Sequence, residues 1–139
     1  MPQVPSILLV DDDDTTNFLN QTLIRRAQVT DQILVATNGI EALRVLHNTC
    51  TTASNQCPAL ILLDVNMPVM NGIEFLEAYQ KLVLSQQDSI VIVLLTTTVL
   101  TRDLERVRQL PIASVLDKPL TSDKLRLIVD RYFPLATAG

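Results

Sequence analysis

Short apolar runs punctuate the chain at 6–10 (SILLV), 32–36 (QILVA), 59–63 (ALILL), 90–95 (IVIVLL) and 112–116 (IASVL). Each has the length of a strand, and several are apolar at odd and even positions alike. A strand with one wet face alternates, whereas a strand covered on both faces does not. The pattern therefore predicts a parallel sheet with helices on both sides. Between the runs, apolar residues return at helical spacing. They are Phe18, Leu19, Leu23 and Ala27 after the first strand, Ile40, Leu43 and Leu46 after the second, and Phe75, Leu76, Tyr79, Leu82 and Val83 after the third. Leu104, Val107 and Leu110 follow the fourth, and Leu125, Ile128, Val129 and Tyr132 the fifth. The aromatics of the third and fifth sets, Phe75, Tyr79 and Tyr132, read as core. Thr121 and Ser122 offer N-caps for the last helix, and Pro134 stands where it should stop.

Strands alternating with helices require right-handed crossovers, and the expected fold is a doubly wound α/β sheet of five parallel strands in the flavodoxin-like order 2-1-3-4-5. One domain is expected over 6–133, with short tails at 1–5 and 134–139. A chain of 139 residues that is 47% apolar and 19% charged, with three glycines, can bury a core of its own.

A net charge of −4 and a pI near 4.8 give nucleic acid and anionic lipid no electrostatic reason to bind. The start, MPQVPS, lacks the basic flank and apolar run of a signal peptide, and no stretch approaches the roughly 18 apolar residues of a membrane helix. A cytoplasmic location without membrane contact is expected. Cys50 and Cys57 lie in a polar stretch, TCTTASNQCP at 49–58, which reads as a long solvated loop. Two thiols without a repeated spacing are too few for zinc; a disulfide between them is sterically conceivable, but in a reducing compartment they are expected to be free.

In an open α/β sheet the binding crevice lies outside the carboxyl ends of the strands. Here the first strand runs into Asp11 and Asp12, the third into Asp64, the fourth into Thr96, and the fifth into Asp117 and Lys118. Carboxylates gathered within a few ångströms repel one another unless protons or a cation neutralise them. All-oxygen ligation with few protein carboxylates suits Mg2+, with Mn2+ close behind. Asp13 and Asp14 fit a plainer role as acids at a helix N-terminus.

Taken together, ILLVDDDD, LILLDVNMPVMNG, VLLTT and DKPL resemble, in order and spacing, the receiver domain of two-component response regulators. The resemblance runs from residue 6 to about 133. It implies that Asp64 is the phosphoacceptor. It further implies that Mg2+ is held by Asp11, Asp12, Asp64 and the Asn66 backbone carbonyl, and that Thr96 and Lys118 bind phosphoryl oxygens. Pro119 matches the family's cis Lys-Pro bond, and Gly72 its turn glycine, expected at positive φ. The phosphoryl donor is expected to be a histidine kinase or histidine phosphotransfer protein, because His47 falls late in the second helix, facing solvent. No output segment follows the last helix, so signalling is expected to pass through another protein.

One departure bears on the switch. Receivers usually carry Tyr or Phe three residues before the lysine, where this chain has Val115. Valine cannot swing a ring between wet and buried states, so movement of the loop after Thr96 is the expected transmitter. Two other chemistries fit less well. A haloacid-dehalogenase-like phosphatase wants a second Asp two residues after the first, where Asn66 stands. A flavin binder wants a phosphate loop after the first strand, where four acids stand. A degenerate receiver serving as a docking module would lack the acidic pair, Asp64 or Lys118, and all are present.

Overall fold

The computed structural model describes residues 3–50, 57–82, 89–97 and 109–135. The strands are β1 (Ile7–Val10), β2 (Ile33–Ala36), β3 (Leu60–Asp64), β4 (Val91–Thr96) and β5 (Ser114–Asp117). The helices are α1 (Asp14–Ala27), α2 (Gly39–Cys50), α3 (Gly72–Tyr79) and α4 (Ser122–Tyr132). The strands pair in parallel in the order β2-β1-β3-β4-β5, as expected. The helix expected around Leu104 and Val107 lies outside the described residues.

Strand alternation divides the core in two. Leu8, Val10, Ile61, Leu63, Ile92 and Leu94 face α2 and α3, where they pack with Ala42, Leu46, Phe75, Leu76 and Tyr79. Ile7, Leu9, Leu60, Leu62, Val93 and Leu95 face the other way, against Ile24 of α1 and Leu125, Ile128 and Val129 of α4. Both faces are thus dry along the central strands β1, β3 and β4, which is why these strands carry no polar alternation. Full burial of each such side chain is worth about 1.5–3 kcal/mol. Phe75 and Tyr79 stack with ring centroids 6.0 Å apart, placing both aromatics in the core.

Helix ends follow the sequence closely. Asp13 caps α1 and Asn71 caps α3 in a reciprocal box with Glu74. Thr121 caps α4, which ends at Tyr132 just before Pro134.

Three expectations are corrected. Phe18 and Leu19 are exposed, at 65% and 59%, because the buried stripe of α1 consists of Asn17, Asn20 and Ile24, with Leu23 and Ala27 packed partly against the core. Ile40 is likewise exposed at the start of α2. Cys50 and Cys57 are not free thiols in a solvated loop. They are buried and joined in a disulfide, since α2 continues to Cys50 and brings its Cα within 4.7 Å of that of Cys57, just before β3.

Candidate functional site

The site is built at the junction where the chain's winding reverses. β1 lies between β2 and β3, and Val10 pairs with Leu63, so the next residue along each strand is a carboxylate, Asp11 and Asp64. Both are buried, whereas Asp12 is exposed. One oxygen from each of the three lies within 4.8 Å of the others.

Lys118 follows β5 and reaches back across the sheet edge. Its Nζ stands 2.8 Å from Asp11 Oδ2 and 3.2 Å from Asp64 Oδ1. Its backbone N–H donates to the Thr96 carbonyl at 2.9 Å. Thr96, itself buried, ends β4 one residue beyond Leu95, the partner of Asp64 in the sheet. The Lys118–Pro119 bond is cis, as the resemblance implied.

Electrostatics set the carboxylates apart. Burial, and then the charge of Asp11, push Asp64 above the usual carboxylate range, outweighing Lys118 and the Asn66 backbone N–H that donates to it. Burial pulls the Lys118 amine down, yet its hydrogen bond to Asp11 and the charges of Asp64 and Asp11 hold it above its ordinary value. Asp13 belongs to the helix: the hydroxyl of Thr16 donates to it at 2.6 Å and lowers it, so it is a cap rather than a member of the cluster.

Asp11 is fixed from several sides. Its Oδ1 accepts the Asp13 N–H at 2.9 Å, and its carbonyl accepts the Asn17 side-chain amide at 2.8 Å. The sequence reading missed Asn17; an amide seven residues before Ile24, on the same helical stripe, was the available signal. It also missed the role of Gly72. That glycine has no positive φ; a Cβ there would stand 2.6 Å from the Asp64 carbonyl, so close approach is what demands it. The positive φ falls on Val69, at 70°, in a tight turn closed by the Met70 N–H donating to the Pro68 carbonyl at 2.8 Å.

Three carboxylates face one amine, which leaves the cluster with excess negative charge. Two of those carboxylates are buried, where uncompensated charge is costly. An all-oxygen set of this kind fits a hard divalent cation. Asn66 is exposed two residues beyond Asp64. Lys118 and Pro119 also line an apolar groove of about 410 Å³ between α1 and the start of α4, with Leu19, Leu23 and Leu120; it meets the acidic cluster at Lys118.

Comparison with known proteins agrees with this geometry. The profile of the response regulator receiver domain matches residues 7–130. The chain belongs to that family. The receiver is 28% identical to sporulation initiation phosphotransferase F of Bacillus subtilis, over 93% of this chain and 94% of that protein. It is 26% identical to the sensor histidine kinase CheAY of Helicobacter pylori over 93% of this chain, although it spans 15% of that protein's length. A two-component response regulator from Cytophaga hutchinsonii has the same fold, with a TM-score of 0.80 and 29% identity over 93% of this chain and 96% of that one. The function is that of a phosphoacceptor signalling domain in a two-component system. Among the described residues no helix is long and apolar enough to cross a membrane.

Proposed function

We propose that Asp64 accepts a phosphoryl group from a partner phosphohistidine and that the phosphorylated receiver, residues 6–133, signals through a protein partner in the cytoplasm. The observation that carries this reading is the convergence of Asp64, Asp11, Asp12 and Lys118 at one edge of the sheet. Asp11, Asp12 and Asp64, with the Asn66 carbonyl, would hold Mg2+, or Mn2+ in its place. The bound cation supplies charge neutralisation between carboxylate and phosphate oxygens.

The residues divide the remaining work. A carboxylate oxygen of Asp64 forms the new O–P bond as the P–N bond to the donor imidazole breaks, and the imidazole leaves with the electron pair. Lys118, paired with Asp64 and Asp11 before transfer, turns its charge to the phosphoryl oxygens after it. The Thr96 hydroxyl donates to a second phosphoryl oxygen. Burial of Asp11 and Asp64 keeps these contacts in a poorly screened environment, where they count for more than in water. The domain acts as no enzyme beyond its own phosphorylation and dephosphorylation.

His47 is exposed on α2, away from the strand ends, which supports a donor histidine from another protein. Relatives named as a sensor histidine kinase and a sensor kinase/phosphatase support the same class of donor. Phosphotransfer profiling with purified, autophosphorylated histidine kinases and phosphotransfer proteins tests the proposal. Transfer of label to the chain, lost in Asp64→Asn, is expected. Absence of transfer from every donor, or transfer that survives Asp64→Asn, contradicts it.

A further inference from the structure

We propose that Lys124 is a positioning residue for Lys118, clamping the backbone on either side of it so that the Lys118 amine is delivered to the acidic cluster. The proposal rests on the phosphoacceptor reading above and adds a residue which that reading does not use.

Lys124 sits in the first turn of α4, three residues after its cap. Its backbone N–H donates to the Thr121 hydroxyl at 3.2 Å, so the helix end is already served without the side chain. At this position a Glu or Gln would complete a capping box, and an acid would also suit the positive end of the helix dipole. α3 of this same chain has that arrangement, with Glu74 reciprocating Asn71. In α4 a lysine occupies the equivalent place, against the dipole.

The half-buried side chain turns back over the loop instead of out to water. Its Nζ donates to the Asp117 carbonyl at 2.7 Å and to the Pro119 carbonyl at 3.1 Å. Those carbonyls flank Lys118. The peptide plane entering Lys118 is therefore held at both ends, its C=O by Lys124 and its N–H by the Thr96 carbonyl at 2.9 Å. The carbonyl beyond Pro119 is held by the same amine. Charged donors make the stronger class of hydrogen bond, so one ammonium fixing two carbonyls is an effective clamp. The Lys118 side chain, 19% exposed, then spans from this fixed backbone to Asp11 and Asp64. The amine of Lys124 thus restrains both carbonyls at once.

Lys124→Met and Lys124→Arg in the full chain test the idea, with acetyl phosphate and Mg2+ as the probe. Lys124→Met is expected to keep its circular dichroism and its Mg2+ affinity, which depends on other residues, while phosphorylation of Asp64 slows by about tenfold or more through misplacement of a catalytic group. Lys124→Arg, still cationic, should recover most of the rate. In a Lys118→Met background Lys124→Met should add little further loss, since the group it positions is gone. Independently of phosphoryl transfer, the Lys118 side-chain NMR signals of the apo protein should move toward those of a solvated lysine in Lys124→Met. Unchanged Lys118 signals, or an equal rate loss with and without Lys118, overturn the proposal. Wild-type chain that takes no phosphoryl group at Asp64 overturns the phosphoacceptor reading instead, while the NMR comparison still decides whether Lys124 positions Lys118.

Discussion

Gly72 and Asp64 meet backbone to backbone: a Cβ on Gly72 would lie 2.6 Å from the Asp64 carbonyl and 2.9 Å from the Val65 Cα. The Gly72 N–H also donates to the Val65 carbonyl at 2.9 Å. The first residue of α3 is thus pressed against the strand end that carries the central carboxylate. Because the obstructing atoms are backbone, they cannot turn aside as a flexible side chain would.

Gly72→Ala should therefore destabilise the fold, by about 2 kcal/mol or more as for other overpacked sites. Helix propensity alone argues the reverse, since Ala is favoured over Gly by about 1 kcal/mol within a helix. Urea unfolding separates the two: a lower midpoint follows from close approach, a higher one from propensity.

Val69 gives the opposite expectation. A β-branched residue at φ 70° is strained, whereas glycine adopts that backbone freely. Val69 is 76% exposed, so its side chain contributes little packing to lose. Val69→Gly should gain about 1 kcal/mol, the relief of strain exceeding the added freedom of the unfolded chain. The same urea measurement checks it, and a loss of stability would show that the turn is not strained.

Asp64 bears on the pH dependence of the metal-free protein. Burial and Asp11 raise it, so the folded state holds the Asp64 proton more tightly than the unfolded state does. Its ionised form therefore costs stability at neutral pH, and that cost disappears as pH falls through the raised folded value toward the unfolded one. In the presence of a chelator, Asp64→Asn should melt higher than wild type near pH 7, with Lys118 still held by Asp11. The difference should shrink below the unfolded carboxylate range, where both forms are neutral. Thermal melts across this window decide the sign.

Mg2+ should raise the melting temperature of wild type, since a ligand that binds the folded state at about 100 times its dissociation constant contributes about 2.7 kcal/mol. Asp12→Ala removes an exposed member of the cluster and should abolish most of that response without harming the apo fold. An undiminished rise in the variant would remove Asp12 from the ligand set.

The fold was legible because two dry sheet faces leave a plain trace, apolar runs without alternation. The cluster was legible because Asp11, Asp64, Thr96 and Lys118 all fall at the carboxyl ends of those runs. What escaped depends on how nearby segments turn back on one another in space, which apolar periodicity does not report. The pairing of Cys50 with Cys57 requires knowing how far α2 continues. The exposure of Phe18 and Leu19 follows from Asn17 being turned inward toward the Asp11 carbonyl, a polar demand that outweighs apolar periodicity. The reason for Gly72 is contact with a strand and not its own φ. Val115 is half-exposed on the edge strand β5, with no ring to move. Most of the loop after Thr96, expected to carry the switch, lies outside the described residues.

The most direct test of Asp64 as phosphoacceptor is intact-mass measurement with peptide mapping after incubation with acetyl phosphate and Mg2+. A single phosphoryl adduct on the peptide containing Asp64, dependent on the metal and absent from Asp64→Asn, is the result expected from the convergence of Asp11, Asp12, Asp64 and Lys118. An adduct on a different residue, or none under conditions that label other receivers, would contradict it.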